Sequence, residues 1–422
     1  MMPENKNPLV AIRLGRIILA ALVLSGSQAC QSKSGTVERR EKPTTDSRIA
    51  VANLDAQIQE HDKAHARAPE AQQFTATLVG FLKTRAQYSG RLSDYDRALE
   101  LAEEAVDRAP RNGSSLVLRA GVRSALHQFS AALADLDRAS ELGADESAEP
   151  LRATIIQAQG RLPEALQRWR ALARSSPQIS VQGSLAVAEG ESGNRVEAER
   201  LFSTAIQSYR DVSPFPLAWI EFQQGLMWER AGELGKARIH YESARRYLPQ
   251  YAPATGHLAM LLSLKGDAAK AAELLRPLAD FSEDPEYAAQ LATVLVQLGD
   301  FKGAARYRDS AAERYDLLLG RHPEAFADHA ARFWLGIDPM KALRLATQNL
   351  ANRKTQDAFD LAISAALAAK DSSAACELAE GATRLPRPAP RIDFLVRRAF
   401  QSCGRADLTS QDERASRLPV VR

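Results

Sequence analysis

Apolar side chains recur along this chain at three- and four-residue spacing, the period of one helix face. Ile49, Leu54 and Ile58 form a first such stripe, and Phe74, Leu78, Phe81 and Leu82 a second, with Pro69 between them. Ser47 stands where an N-cap is wanted, so the pattern predicts a capping helix over 48–69 and a second helix over about 70–88. From Gln159 to Ala312 one signal punctuates the stripes: a glycine, then an alanine five residues later. It reads Gly160 and Ala165, Gly193 and Ala198, Gly232 and Ala237, Gly266 and Ala271, Gly299 and Ala304. Successive alanines lie 33, 39, 34 and 33 residues apart. A period of about 34 residues predicts stacked helix–turn–helix units, none of which buries its apolar face alone.

The same positions resemble the tetratricopeptide repeat. That motif wants small residues at its eighth, twentieth and twenty-seventh places, large apolar ones between, and proline near its end. Leu116, Ala120, Ala132, Leu136 and Ala139 match in one unit, and Ala153, Ala165, Trp169 and Pro177 in the next. Leu185, Ala186, Ala198, Phe202 and Ala205 follow, and the fullest match is Gly225, Trp228, Ala237, Tyr241, Ala244 and Pro249. Later units carry Leu258, Ala259, Leu262, Ala271 and Leu275, then Leu291, Ala292, Ala304 and Ala311. Looser ones carry Ala330, Phe333, Ala342 and Ala346, then Ala362, Ala374, Leu378 and Pro386. Arg123 and Arg308 depart where a large apolar residue is usual. The resemblance spans residues 70–403 and implies an all-α, right-handed superhelical solenoid of about nine units, closed by a final helix over Arg391–Cys403. Two steps are long, at Arg210–Pro216 and around Asp316–Pro323, the latter as a longer helix. Such insertions map to one edge of a solenoid, where they serve function or are simply tolerated.

The N-terminus changes the picture of where such a solenoid works. A short basic head precedes the apolar run Ile17–Leu24 and the small residues to Ala29, the plan of a signal peptide over 1–29 and too short to span a bilayer. Cys30 follows, and the arrangement resembles a bacterial lipoprotein signal in which that cysteine is lipidated. Ser27 stands where leucine is usual, so ordinary cleavage before Cys30, or an uncleaved anchor, stays open. Gln31 in place of aspartate implies the outer membrane, with the body in the periplasm. Residues 31–47 hold one apolar residue, so 30–47 reads as a disordered tether, and 404–422 as a disordered tail.

Composition narrows the function classes. The formal charge is +3 over 422 residues, and +2 of it lies in residues 1–29, so the remainder gives no electrostatic case for nucleic acid. Apolar residues make up 45%, enough to line a core, while aromatics are 6%, as expected of helices packed through small residues. Nucleophile-elbow, P-loop, dinucleotide and HExxH patterns do not occur, so no reaction, cofactor or metal is assigned. His61 and His65 share a helix face without a carboxylate pattern and read as a solvated face. His322, Glu324, Asp328 and His329 form a second polar cluster, at a helix start where Glu324 suits the dipole.

The aromatics sort by repeat position. Trp169, Trp228 and Trp334 fall at core places. In this family first helices line the concave groove, and by that register Trp219, Phe222, Leu226 and Glu229 face it in the fifth unit and Met260 in the sixth. An aromatic and methionine patch suits a protein or peptide partner. The alternative is that this surface packs against the insertion at 210–216. Cys376 and Cys403 fall on antiparallel neighbours, where an oxidising compartment would join them; two separate thiols are the alternative. The reading is an exported adaptor of the cell envelope, held to the membrane by its N-terminal lipid. A regulator of a cell-wall enzyme, or a saccharide binder stacking on Trp219 and Phe222, is the second reading. An enzyme built on the cluster at 322–329 is the third.

Overall fold

A computed structural model describes residues 42–385 and 390–405. Residues 1–41, with Cys30 and the expected signal and most of the tether, and 406–422 of the expected tail, lie outside the described residues. A leading helix, α1 (Ser47–Arg67), precedes nine antiparallel pairs. These are α2 (Gln72–Ser89) with α3 (Ser93–Arg108), α4 (Gly113–Ala125) with α5 (Phe129–Glu141), and α6 (Asp145–Ala158) with α7 (Leu162–Ser175). There follow α8 (Ile179–Glu191) with α9 (Arg195–Ser208), α10 (Phe215–Arg230) with α11 (Leu234–Tyr247), and α12 (Ala252–Leu264) with α13 (Ala268–Phe281). The last are α14 (Pro285–Gln297) with α15 (Phe301–Arg321), α16 (Pro323–Trp334) with α17 (Pro339–Asn352), and α18 (Gln356–Ala368) with α19 (Ser372–Ala382). A final helix, α20 (Pro390–Ser402), packs on α18 and α19. The fold is therefore an all-α solenoid of tetratricopeptide-like units, which we number 1 to 9.

The helix starts follow local chemistry. Asp46, rather than Ser47, caps α1: its carboxylate accepts from the backbone N–H groups of Arg48 and Ile49 at 2.9 and 3.4 Å, so the helix begins one residue earlier than the serine implied. Asp284, Asp300, Asp338 and Asp371 cap later helices in the same manner. The turn glycines Gly160, Gly193, Gly232, Gly266 and Gly299 all adopt positive φ, between 77° and 88°, which glycine adopts without the Cβ clash other residues meet. Alanines at the packing positions, among them Ala120, Ala132, Ala165, Ala198, Ala237 and Ala271, are fully buried. A larger side chain at any of these would push paired helices apart, at a cost of about 1–3 kcal/mol.

Successive first helices touch one another, as α2 does α4, α6 does α8 and α14 does α16, so they form the inner, concave face. The curvature is tight enough for the chain to meet itself about six units on. The α2–α3 turn docks on the α13–α14 loop, where the Glu283 N–H donates to the Gly90 carbonyl at 3.1 Å. The Ser93 N–H and hydroxyl donate to the Glu283 carboxylate at 2.6 and 2.9 Å. Next along the same seam, His322 lies 2.6 Å from Asp96, and the Asn352 amide donates to the His127 carbonyl at 2.8 Å. At unit 3 the Lys354 N–H donates to the Gln159 carbonyl at 3.1 Å.

Both length insertions serve this closure. The 210–214 loop offers the Val212 carbonyl to the Thr45 N–H at 2.8 Å, and Phe215 beside it lies tilted against Tyr88 with ring centroids 5.4 Å apart. The second insertion is helical and extends α15 to 21 residues. Its last turns place Leu317, Leu318 and Arg321 against α3, where a cavity of about 390 Å³ sits between the two turns of the solenoid. No helix among the described residues is long and apolar enough to cross a membrane.

Candidate partner-binding face

The inner face carries the side chains that the repeat register assigns to a groove, but not all of them reach it. Trp219 is half-buried and packs on the preceding unit: a Cβ added to Gly183 of α8 would stand 2.8 Å from its ring. The bare backbone of Gly183 is what admits the indole there. Leu226 and Met260 are half-buried as well. Phe222 corrects the expectation. It is 9% exposed and sits among three rings, Tyr251 at 5.4 Å, His257 at 5.4 Å and Tyr241 at 5.8 Å between centroids. Three neighbouring rings give it more contact than an open groove would, so it belongs to the core between units 5 and 6. The two-ring platform expected of a saccharide binder is thereby broken.

Glu229 does reach the inner face and starts a file of acids and bases that register alone did not reveal. The Tyr241 hydroxyl donates to its carboxylate at 2.5 Å, and His257 of the next unit lies 2.9 Å from it. Burial raises the Glu229 pKa, but His257 and the tyrosine outweigh it and the net shift is downward. His257 also bears electrostatically on Glu286, one unit further. Glu286 accepts from the Gln290 amide at 2.9 Å and meets His329 of unit 8 at 2.8 Å. Asp328 lies 3.8 Å from His329 and 3.5 Å from Arg353. The file thus crosses α10, α12, α14 and α16 and ends at the α17–α18 loop.

The Glu286–His329 end of the file is fixed in charge. The neighbouring Asp328 carboxylate, with Glu286, outweighs burial and raises the His329 pKa to about 10, so the ring is an imidazolium at neutral pH. For Glu286, burial is outweighed by that same imidazolium, and its pKa falls to about 2. Asp284 beside it is pushed up to about 6, by burial and then by the Glu286 charge. His127 reaches over from the α4–α5 turn, and burial, then Arg353, drops its pKa to about 4, so it stays neutral. The His329 side chain keeps 41% of its surface exposed and that of Glu286 31%, so the file borders water.

The structure divides the polar cluster at 322–329. His322 belongs to the seam, Glu324 lends its carbonyl to His127 at 3.3 Å, and Asp328 and His329 join the inner file. His61 and His65 part company too. The His61 ring lies against Phe81 and contacts the Gln57 carbonyl, while His65 is buried against Thr75 at 2.9 Å. Among the described residues no group of three or more His, Cys, Asp or Glu side chains could hold a metal ion. Trp169 and Trp228 are buried, and Trp169 donates to Gln157 at 2.9 Å. Cys376 and Cys403 are joined in a disulfide that ties α19 to the end of α20, with Cα atoms 6.4 Å apart.

Sequence reasoning missed this file because its members come from four units and the loop after them and share no motif. Glu229 and His257 are 28 residues apart, short of the repeat of about 34, so they hold different repeat places and the period gave no signal of their pairing. No protein-family model matches the chain, and no curated protein matches it. Solved structures with a similar course include the human IFIT1 dimer with PPP-AAAA, at 17% identity, 78% of this chain, 77% of that one and a TM-score of 0.47. Another is the Cut9–Hcn1 hetero-tetramer of the APC/C, at 14% identity, 83% and 74% coverage and a TM-score of 0.41. A third is the TPR domain of P58(IPK), at 17% identity, 83% and 99% coverage and a TM-score of 0.21. At such identities and TM-scores the likeness assigns neither a family nor a partner.

Proposed function

We propose that this protein is an exported scaffold of the bacterial envelope that holds a protein or peptide partner along its inner face. The observation that carries the reading is the inner face itself: half-buried Trp219, Leu226 and Met260 lie on the same run of first helices as the polar pair Glu229–His257 and the charged pair Glu286–His329. Apolar side chains beside fixed charges suit an extended peptide, whose side chains need pockets and whose amides need acceptors and donors. The order of residues 1–30 supports export, and Cys30 supports a lipid tie to the outer membrane. Two or more acyl chains on that cysteine would hold the body durably, where a single chain would not.

Photo-crosslinking from position 260 in the native cell identifies the partner. Trp219→Ala should then abolish capture while helical content stays intact; undiminished capture contradicts the inner-face reading. Mass spectrometry of the mature N-terminus tests the anchor, which an unmodified Cys30 contradicts.

A further inference from the structure

The seam joins two unlike edges of the solenoid. The edge of intra-unit turns in units 1 to 3 is covered by the edge of inter-unit loops between units 6 and 9. Glycines on the covered edge have no room: a Cβ on Gly90 would strike Ser282, and one on Gly160 the Lys354 carbonyl. The turn edge continues along units 4 to 7; at unit 5 Arg230 still reaches Asp357 of α18 at 3.3 Å, and among the described residues the edge is bare at units 6 and 7. A Cβ on Gly193, Gly232, Gly266 or Gly299 meets nothing within 4 Å.

The bare edge is apolar where it should be polar. Leu264 is 70% exposed, Phe301 68%, Val296 51% and Leu298 46%. They belong to the neighbouring turns of units 6 and 7, which touch through Ser263 and Gln297 at 2.9 Å, so the four form one patch. Ile337 and Met340 extend it at the turn of unit 8. The turn place held by Phe301 is held in unit 2 by Phe129, which is buried. Apolar clusters of this kind on a protein surface mark an interface.

We propose that a second copy of this chain covers this edge, seating the inter-unit loops of its first units on the turns of units 6 and 7. The seam within one chain is the precedent. About six units complete a turn, and among the described residues no further turn meets the turn edge of units 6 and 7. Among the described residues the inter-unit loops before α4, α6 and α8 are likewise met by no second turn. The two vacant halves of one kind of contact lie at opposite ends of the same molecule. Joining unlike edges is a heterologous contact, so assembly proceeds head to tail and grows beyond two chains.

Sedimentation of the full chain over a concentration series tests this, beside Phe301→Asp and Leu264→Asp. The average mass should rise past two chains, and each aspartate should raise the concentration needed by at least about tenfold. Both substitutions are at exposed positions, and unchanged circular dichroism and melting show that the fold is intact. A single-chain mass at every concentration overturns the proposal and leaves the edge to a different protein. A mass that saturates at two chains overturns the head-to-tail contact. Association equal in all three proteins assigns it to another surface, and also overturns the proposal.

Discussion

His329 holds its proton because two carboxylates face it, and that sets a sign for pH dependence. Its folded pKa of about 10 lies above the ordinary value of 6.5. The stabilisation is therefore complete below pH 6.5 and is lost as pH rises through about 10. Glu286 has the opposite sense: its contribution is present above its ordinary value of 4.5 and is lost as pH falls toward about 2. Melting temperature followed between these limits should fall more steeply on the alkaline side for the wild type than for His329→Gln; parallel curves would show that the file does not hold the proton. Gly225 offers a test without charge. It is the small residue of unit 5 against which Tyr241 packs, and an added Cβ would overlap that ring. Gly225→Ala should cost about 1–3 kcal/mol by denaturant unfolding, since the tyrosine is fully buried and cannot step aside. The matched repeat positions announced Gly225 and Tyr241 as core. They also placed Phe222 in the groove, because a register assigns a face and does not report that Tyr251 and His257 close over it.

At the scale of the element, the helix–turn–helix pairs were legible because glycine, alanine and apolar spacing all repeat. What was not legible is that turns identical in sequence terms have different surroundings. Gly160 and Gly193 have nearly equal φ, 85° and 88°, yet only Gly160 faces another backbone. Alanine at Gly193 should cost about 1–2 kcal/mol for the left-handed conformation alone. Alanine at Gly160 adds the clash with Lys354 and should cost roughly 1–3 kcal/mol more, which thermal or urea unfolding of the pair would resolve. The last element is held differently. The Cys376–Cys403 bond spans 27 residues and fastens α20 over the open end of unit 9. Reduction should destabilise the protein by roughly 3 kcal/mol, a difference absent from Cys403→Ser under the same reductant.

The whole molecule is a solenoid that closes on itself, and this scale was hidden from the sequence. The residues that meet at the seam are 190 to 226 positions apart, and they join through backbone groups and single side chains with no shared motif. Even the two insertions, one of them legible as a longer helix, read equally as function or as tolerated length until the chain is folded, when one receives Thr45 and the other lines the cavity beside α3. Closure sets the curvature of the inner face on which Glu229, Glu286 and His329 lie, so the functional reading depends on it. Hydrogen exchange read by mass spectrometry over 281–285 and 352–356 tests it most directly. The account predicts that the Glu283 and Lys354 amides, donating to Gly90 and Gln159, exchange orders of magnitude more slowly than in an unstructured peptide of the same sequence, and that Gly160→Ala accelerates Lys354 alone. Exchange of both amides at the unstructured rate in the wild-type protein would show an open solenoid and contradict the account.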